Sequence, residues 1–256
     1  MNTITGWPGG KTAGKRVGVF SPHPDDDVIS MGATLAKLCQ QGHDVHTVYQ
    51  TSGNIAVFDH NVLRFADFVR EFNSIFGLAS EQTAAIDDHI EQFLANKKPA
   101  EIDSDEVQQV KTLIRRIEAI SAAGFCGVPK DNCHFLEMPF YKTGTVKKMP
   151  IGEEDVSLVL DVLLKIKPDI VFAAGDLSDP HGTHRMCLDA VFRALGLYRK
   201  KAGELPSVWL YRGAWQEWDP HQIDMAVPIS PAESYQKRHA ILDRKSTRLN
   251  SSHRIR

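Results

Sequence analysis

Short runs of consecutive apolar residues alternate along the chain with longer stretches in which apolar positions recur every three or four residues. The first run, RVGVFSP over residues 16–22, follows a Gly- and Lys-containing leader (residues 1–15) and reads as a buried strand. Val28 to Gln41 then carries Val28, Ile29, Met31, Leu35 and Leu38 at helical spacing, with Gly42 as a stop. DVHTVYQT predicts a second strand. Strand, helix and strand make a βαβ unit, which implies a parallel sheet with a right-handed crossover. Helical stripes follow over Asn61–Phe76 and, more faintly, Ser80–Lys97, while Ser104–Ala123 places Val107, Val110, Leu113, Ile114, Ile117 and Ile120 on one face. NCHFLEMPF predicts a third strand, and GTVKKMPIGEED an exposed loop leading into a helix over Val156–Ile166. After Pro168, DIVFAAG is another buried strand. Asp179 and Pro180 are expected as the N-cap and first residue of a helix running to about Tyr198. SVWLYRG and DMAVPIS complete the strands. The repeated βα order predicts an α/β fold: a Rossmann-like, open, doubly wound, mostly parallel sheet with helices on both faces.

Composition bounds this picture without changing it. The 256 residues, 42% hydrophobic and 24% charged, suit one α/β domain over residues 16–244, carrying a helical insertion at about 55–110. A formal net charge of -2 gives no electrostatic reason to expect nucleic acid or an anionic membrane as partner. The opening MNTITGWPGGK lacks the apolar run of a secretory signal, and no segment approaches the roughly 18 apolar residues that cross a bilayer. The four cysteines, Cys39, Cys126, Cys133 and Cys187, form no CxxC pair, and Cys39 and Cys187 read as buried free thiols on helices. These features together predict a cytoplasmic protein. Residues 245–256, KSTRLNSSHRIR, are basic and without apolar periodicity; they resemble a conceptual translation of a sequencing adapter and are set aside from the fold.

Candidate chemistry gathers at two strand ends. The loop after the first strand reads Ser21-Pro22-His23-Pro24-Asp25-Asp26-Asp27. Three adjacent carboxylates repel one another, and a divalent cation would both compensate the charge and keep them ionised. An Asp-rich turn that caps a helix accounts for Asp25–Asp27 equally well, but not for a histidine held between two prolines. After DIVFAAG stand Asp176, Asp179, His181 and His184. If His181 and His184 lie on a helix, their spacing gives them one face. In an open α/β sheet both clusters would meet at the carboxyl edge. Two imidazoles, a carboxylate and an open position suit catalytic zinc, although Fe²⁺ or another divalent metal accepts the same donors.

The PHPDD loop, the distal HxxH and Arg115–Glu118 (RRIE) together resemble the PIG-L/LmbE family of N-acetylglucosaminyl deacetylases, over about Arg16 to Pro231. The resemblance implies a zinc-dependent N-deacetylase acting on an amino sugar. It implies His23, Asp26 and His184 as metal ligands, Asp25 as general base, His181 as oxyanion stabiliser and Arg115 near the sugar. Where the family places an acidic residue before the last histidine, this chain has Thr183, which leaves Asp179 or Asp176 to orient His181. Where the family has Glu after the two aspartates, Asp27 stands here. TGWPGGK, SPHPDDDVISMG, YQTSGNIAV and AAGDLSDPHGTHR are similar to the C-terminal, deacetylase-like region of bacterial polypeptides that bear the name glucosamine-6-phosphate deaminase. That similarity implies a fused or associated deaminase domain.

A competing reading makes the chain a non-catalytic regulatory or sugar-binding module of such a polypeptide. Other polar residues fit blander roles: His43, His46 and His134 as packing or surface groups, and Trp209 as core, with Trp215 and Trp218 available to stack on a sugar. Lys142, Lys147 and Lys148 suit either attraction of a sugar phosphate or a solvated loop.

Overall fold

A computed structural model describes residues 2–3, 14–213 and 215–242; the tail 245–256 and most of the leader lie outside the described residues. Five parallel strands form the central sheet: β2 (Arg16–Ser21), β3 (Asp44–Tyr49), β4 (Cys133–Phe135), β5 (Ile170–Ala174) and β6 (Ser207–Tyr211). Their spatial order is β4-β3-β2-β5-β6. The chain therefore winds outward from β2 in one direction through β3 and β4, and returns to the other side through β5 and β6. Register runs Val17↔Val45 on one flank of β2 and Val17↔Ile170 on the other. The parallel sheet of the α/β fold is as the apolar runs predict.

Both faces of the sheet are covered, which is why β2 and β5 are apolar at nearly every position rather than alternating. On one face Phe20, Val48, Val171 and Ala173 pack against α5 (Glu153–Ile166) and α6 (Thr183–Ala202). On the other, Val17, Val19, Val45, Ile170 and Phe172 pack against α1 (Asp26–Gln40), α4 (Asp105–Phe125) and α7 (Pro231–Leu242). Cys187 is buried within the first of these cores and Cys39 is half-buried beside the second; all four cysteines are free.

The insertion folds as α2 (Asp59–Ile75) and α3 (Glu81–Asn96), which close over the start of α4 around a small core of Val62, Ile90 and Val107. Lys97 and Lys111 each bridge Asp59 and Asp103 at 2.6–2.8 Å, so four alternating charges tie α2 to the root of α4. Phe68, Phe72 and Phe76 remain more than 40% exposed along the outer side of α2 and just beyond it.

Three sequence expectations shift. NCHFLEMPF supplies only three residues of strand, because Pro139–Tyr141 turns into a short 3-10 helix. DMAVPIS does not join the central sheet; its Met225–Ala226 (β7) pairs in parallel with Asn2–Thr3 (β1). The helix expected from Asp179 begins instead at Thr183. No described helix is long and apolar enough to cross a membrane.

Candidate metal centre

The winding order places a topological switch between β2 and β5, and in open α/β sheets a ligand crevice forms there at the carboxyl ends of the strands. The loop between β2 and α1 carries His23 and Asp25 into this crevice. Ser21 Oγ donates to His23 O at 2.5 Å and Asp25 N–H to His23 O at 2.7 Å, which fixes the loop between its two prolines. Asp26 and Asp27 open α1, where the helix N-terminus favours carboxylates. They then separate in role. Asp27 is turned into the fold: it accepts from the Tyr49 hydroxyl at 2.8 Å, and its own N–H donates to Ser21 Oγ at 3.1 Å.

Asp26 faces the crevice and gathers two histidines. Its Oδ2 lies 3.2 Å from His23 Nδ1 and 3.2 Å from His184 Nε2, and it accepts the His23 backbone N–H at 3.0 Å. One donor atom from each of His23, Asp26 and His184 lies within 4.8 Å of the others. Burial alone would raise the Asp26 carboxyl, but the charge of His184, followed by His23, outweighs it and holds Asp26 well below the usual carboxylate range. His184 responds in the opposite sense. Burial opposes its proton, yet Asp26, Asp179 and Asp176 surround it and push it up to about 9. The crevice thus favours positive charge.

The donor set fits a metal ion for a second, geometric reason. His184 is fully buried, and neither ring nitrogen finds a hydrogen-bond partner; Nε2 approaches Asp26 without hydrogen-bonding geometry. A buried imidazole left so would cost about 1–3 kcal/mol per unsatisfied group. Coordination of Nε2 would remove one of these penalties. Two imidazoles and a carboxylate without thiolates suit a first-row divalent cation with an open coordination position.

The second cluster differs from its expected form. Gly182 precedes α6 in the left-handed region, at φ 71°, so Pro180 and His181 lie in a turn outside the helix. His181 and His184 therefore share no helical face. His181 is exposed, and no hydrogen bond or ring contact links it to the other three residues among those described. Asp179 still caps the helix from a distance, accepting the Thr183 N–H at 2.7 Å and the His184 N–H at 3.3 Å. It steadies His184 rather than His181. Asp176, also buried, accepts the backbone N–H groups of Trp215 and Gln216 and so anchors the loop after β6 beside the crevice.

Arg115, expected near a sugar, is 1% exposed and reaches Asp25 Oδ2 with a guanidinium nitrogen at 3.0 Å, with Glu118 at 3.8 Å. It holds Asp25, and its Nε and second terminal nitrogen are themselves buried. Gly53 makes this packing achievable. It sits at φ 62°, and a Cβ there would come within 2.9 Å of Pro24 Cδ and 3.1 Å of Arg115 Nε.

Tyr141 belongs to the site and carried no sequence signal. Its buried ring stands edge-on to His23, with centroids 5.9 Å apart. From Tyr141 a cleft of about 500 Å³ runs between α4 and the loop after β4, past Ser52, Asn54, Gln108, Thr112 and Glu137.

Solved structures share this α/β architecture. The chain superimposes on N,N'-diacetylchitobiose deacetylase of Pyrococcus horikoshii with a TM-score of 0.59 at 19% identity, covering 94% of this chain and 73% of that one. A conserved protein of Thermus thermophilus aligns with a TM-score of 0.55 at 20% identity over 91% and 79% of the two chains. The 4-carboxy-2-hydroxymuconate hydratase GalB of Pseudomonas putida aligns at 0.53 with 18% identity over 90% and 78%, so the fold by itself is compatible with more than one reaction. Sequence is more specific. Residues 18–195 match the PIG-L family, described as GlcNAc-PI de-N-acetylase, and the chain belongs to that family. It is also 49% identical, over 96% of its length, to a putative glucosamine-6-phosphate deaminase-like protein of Bacteroides thetaiotaomicron, of which it spans 40%.

Proposed function

We propose that the chain is a metal-dependent N-deacetylase that hydrolyses the acetamido group of an N-acetylglucosamine-type sugar to acetate and the free amine, with Zn²⁺ held by His23, Asp26 and His184. The observation that carries this reading is the convergence of those donors around a fully buried imidazole with no hydrogen bond of its own. Membership of a de-N-acetylase family supports the reaction class, and the diacetylated disaccharide named for the Pyrococcus protein supports a sugar. A divalent cation bound here would supply Lewis acidity and ease the ionisation of water near neutral pH.

The protein's own groups divide the remaining work. Asp25, at the crevice and aimed by Arg115, takes the proton from the attacking water and returns it to the departing amine. Arg115 keeps Asp25 oriented. His181, on its exposed turn beside α6, swings toward the acetyl oxygen to stabilise the developing charge. Asp179 keeps His184 in place through the two backbone N–H groups it accepts. Tyr141 closes one side of the crevice against water.

Metal content of the purified protein, followed by acetate release from N-acetylglucosamine and its 6-phosphate, tests the reading. About one equivalent of zinc is expected. Asp25→Asn should keep that metal and lose about 10²–10⁴-fold in kcat. Absence of metal, or metal without turnover on a panel of acetamido sugars, would overturn it.

A further inference from the structure

The lysine-bearing loop between the 3-10 turn at Pro139–Tyr141 and α5 is built, not merely solvated. Thr143 Oγ1 donates to Lys147 O at 2.8 Å, Thr145 Oγ1 donates to the same carbonyl at 3.0 Å, and Thr145 N–H donates to Thr143 Oγ1 at 3.2 Å. Met149 N–H donates to Phe140 O at 3.0 Å, pinning the far end of the loop to the turn that carries Tyr141. This knot presents its three lysines differently. Lys142 and Lys147 point to solvent, whereas Lys148 folds back and becomes half-buried.

The Lys148 ammonium rests 3.6 Å from the centroid of the Tyr141 ring, the ring whose edge faces His23. It donates to Thr145 O at 2.6 Å. An ammonium has three N–H donors, and the remaining two find no acceptor among the described residues; no carboxylate among these lies within ion-pair distance of it. Burying a charge without an opposite charge is unfavourable, and burial here pushes the ammonium down to about 8. The aromatic face offsets part of that cost. Near the cleft, Lys111 and Lys97 by contrast each meet two aspartates. Lys148 has no such match among the described residues, and it stands on a preorganised loop against Tyr141, the ring that faces His23.

We propose that Lys148 recognises a phosphate monoester on the amino sugar, with Lys142 adding a second positive charge, so that the site selects a phosphorylated acetamido sugar over the neutral one; this rests on the deacetylase reading for the reaction but not for the binding. Two cations on one loop, Lys142 and Lys148, without acid partners among the described residues favour a dianion over a single carboxylate. The ammonium acts as a point charge with two open donors, and the phosphate would sit on the Tyr141 side of the crevice, away from Asp25.

The test uses the zinc-loaded protein with N-acetylglucosamine, N-acetylglucosamine 6-phosphate and N-acetylglucosamine 1-phosphate, and separately the binding of the product-like glucosamine 6-phosphate by calorimetry. The wild-type protein should favour one phosphorylated sugar, and Lys148→Gln should raise KM for it by about tenfold or more while kcat changes less than about twofold. KM for the neutral sugar should not move, and Lys148→Arg should recover much of the loss. Calorimetry should show the same weakening of glucosamine 6-phosphate whether or not acetate is released, which separates a failure of this inference from a failure of the deacetylase reading. Equal effects of Lys148→Gln on neutral and phosphorylated ligands, or no preference for phosphate in the wild-type protein, would overturn it. A thermal melt of Lys148→Gln matching the parent confirms that the comparison concerns recognition.

Discussion

Asp25, Asp26 and Asp27 stand side by side in sequence and do three different things. Asp27 braces the corner between β2 and α1 through Tyr49 and Ser21, Asp26 faces two imidazoles, and Asp25 meets a buried guanidinium. The cluster itself was legible from its charge density, because three adjacent carboxylates at a strand end call for compensation. Its division of labour was not, because it depends on where Tyr49, Arg115 and His184 arrive from other elements. Gly53 shows the same dependence. Its positive φ and the close approach of Pro24 and Arg115 mean that Gly53→Ala meets both a strained backbone and a steric conflict. We expect it to lose about 1 kcal/mol of stability and more than tenfold in kcat, while zinc content measured by mass spectrometry stays near that of the parent. Loss of zinc together with activity would show that Gly53 supports the ligands and not Asp25.

At the scale of elements, periodicity located most helices within a few residues of their observed limits, because one apolar stripe must face the sheet. The helix after β5 is the informative exception. Asp179-Pro180 has the composition of a helix start, yet Gly182 takes the left-handed conformation and delays α6 to Thr183, leaving Asp179 to cap it through space. The last helix, α7, had no predicted counterpart; its periodicity is weak, and it is held through Ala240 and contacts with α1 and α4. The insertion is tied by charge as well as by its small core. Lys111→Met leaves Asp59 and Asp103 with Lys97 alone in a partly buried network. Faster hydrogen exchange in α2 and α3, with rates in β2 and β5 unchanged, is the expected outcome; uniform acceleration across the sheet would contradict it. The edge strand β4 carries a different dependence. Burial, aided by Lys165 and His46, lowers His134 to about 4 from 6.5. The unfolded chain therefore takes up a proton between those values that the folded chain refuses, so this group makes stability rise with pH from about 4 to 6.5 and contributes no further change above it. His43, lowered mainly by its burial, acts in the same direction. Melting temperatures measured across that window should rise less steeply in His134→Asn than in the parent.

For the whole molecule, the sheet class followed from two facts visible in the chain: buried apolar runs without alternation, and helices between them. Strand order did not follow, because nothing local distinguishes a neighbour of β2 on one flank from a neighbour on the other. That order decides where the two clusters meet, and right-handed crossovers then bring the loops after β2 and β5 to one edge. The apolar outer side of α2 lies far from this logic. Its exposed phenylalanines make no contribution to either main core, and the Bacteroides relative, of which this chain spans 40%, is long enough to contain further domains.

The candidate ligands come from the two halves of the winding, His23 and Asp26 from the first strand–helix unit and His184 from the last strand–helix pair to border β2. Neither half holds a binding-competent set alone. Capture of a cation there would be a late checkpoint in the birth of the molecule: it could occur only once β2 and β5 have paired, after much of the chain has left the ribosome. A metal bound there would then act as a rivet across the central seam, making the same ion that serves the chemistry a certificate that the sheet was assembled in the right order.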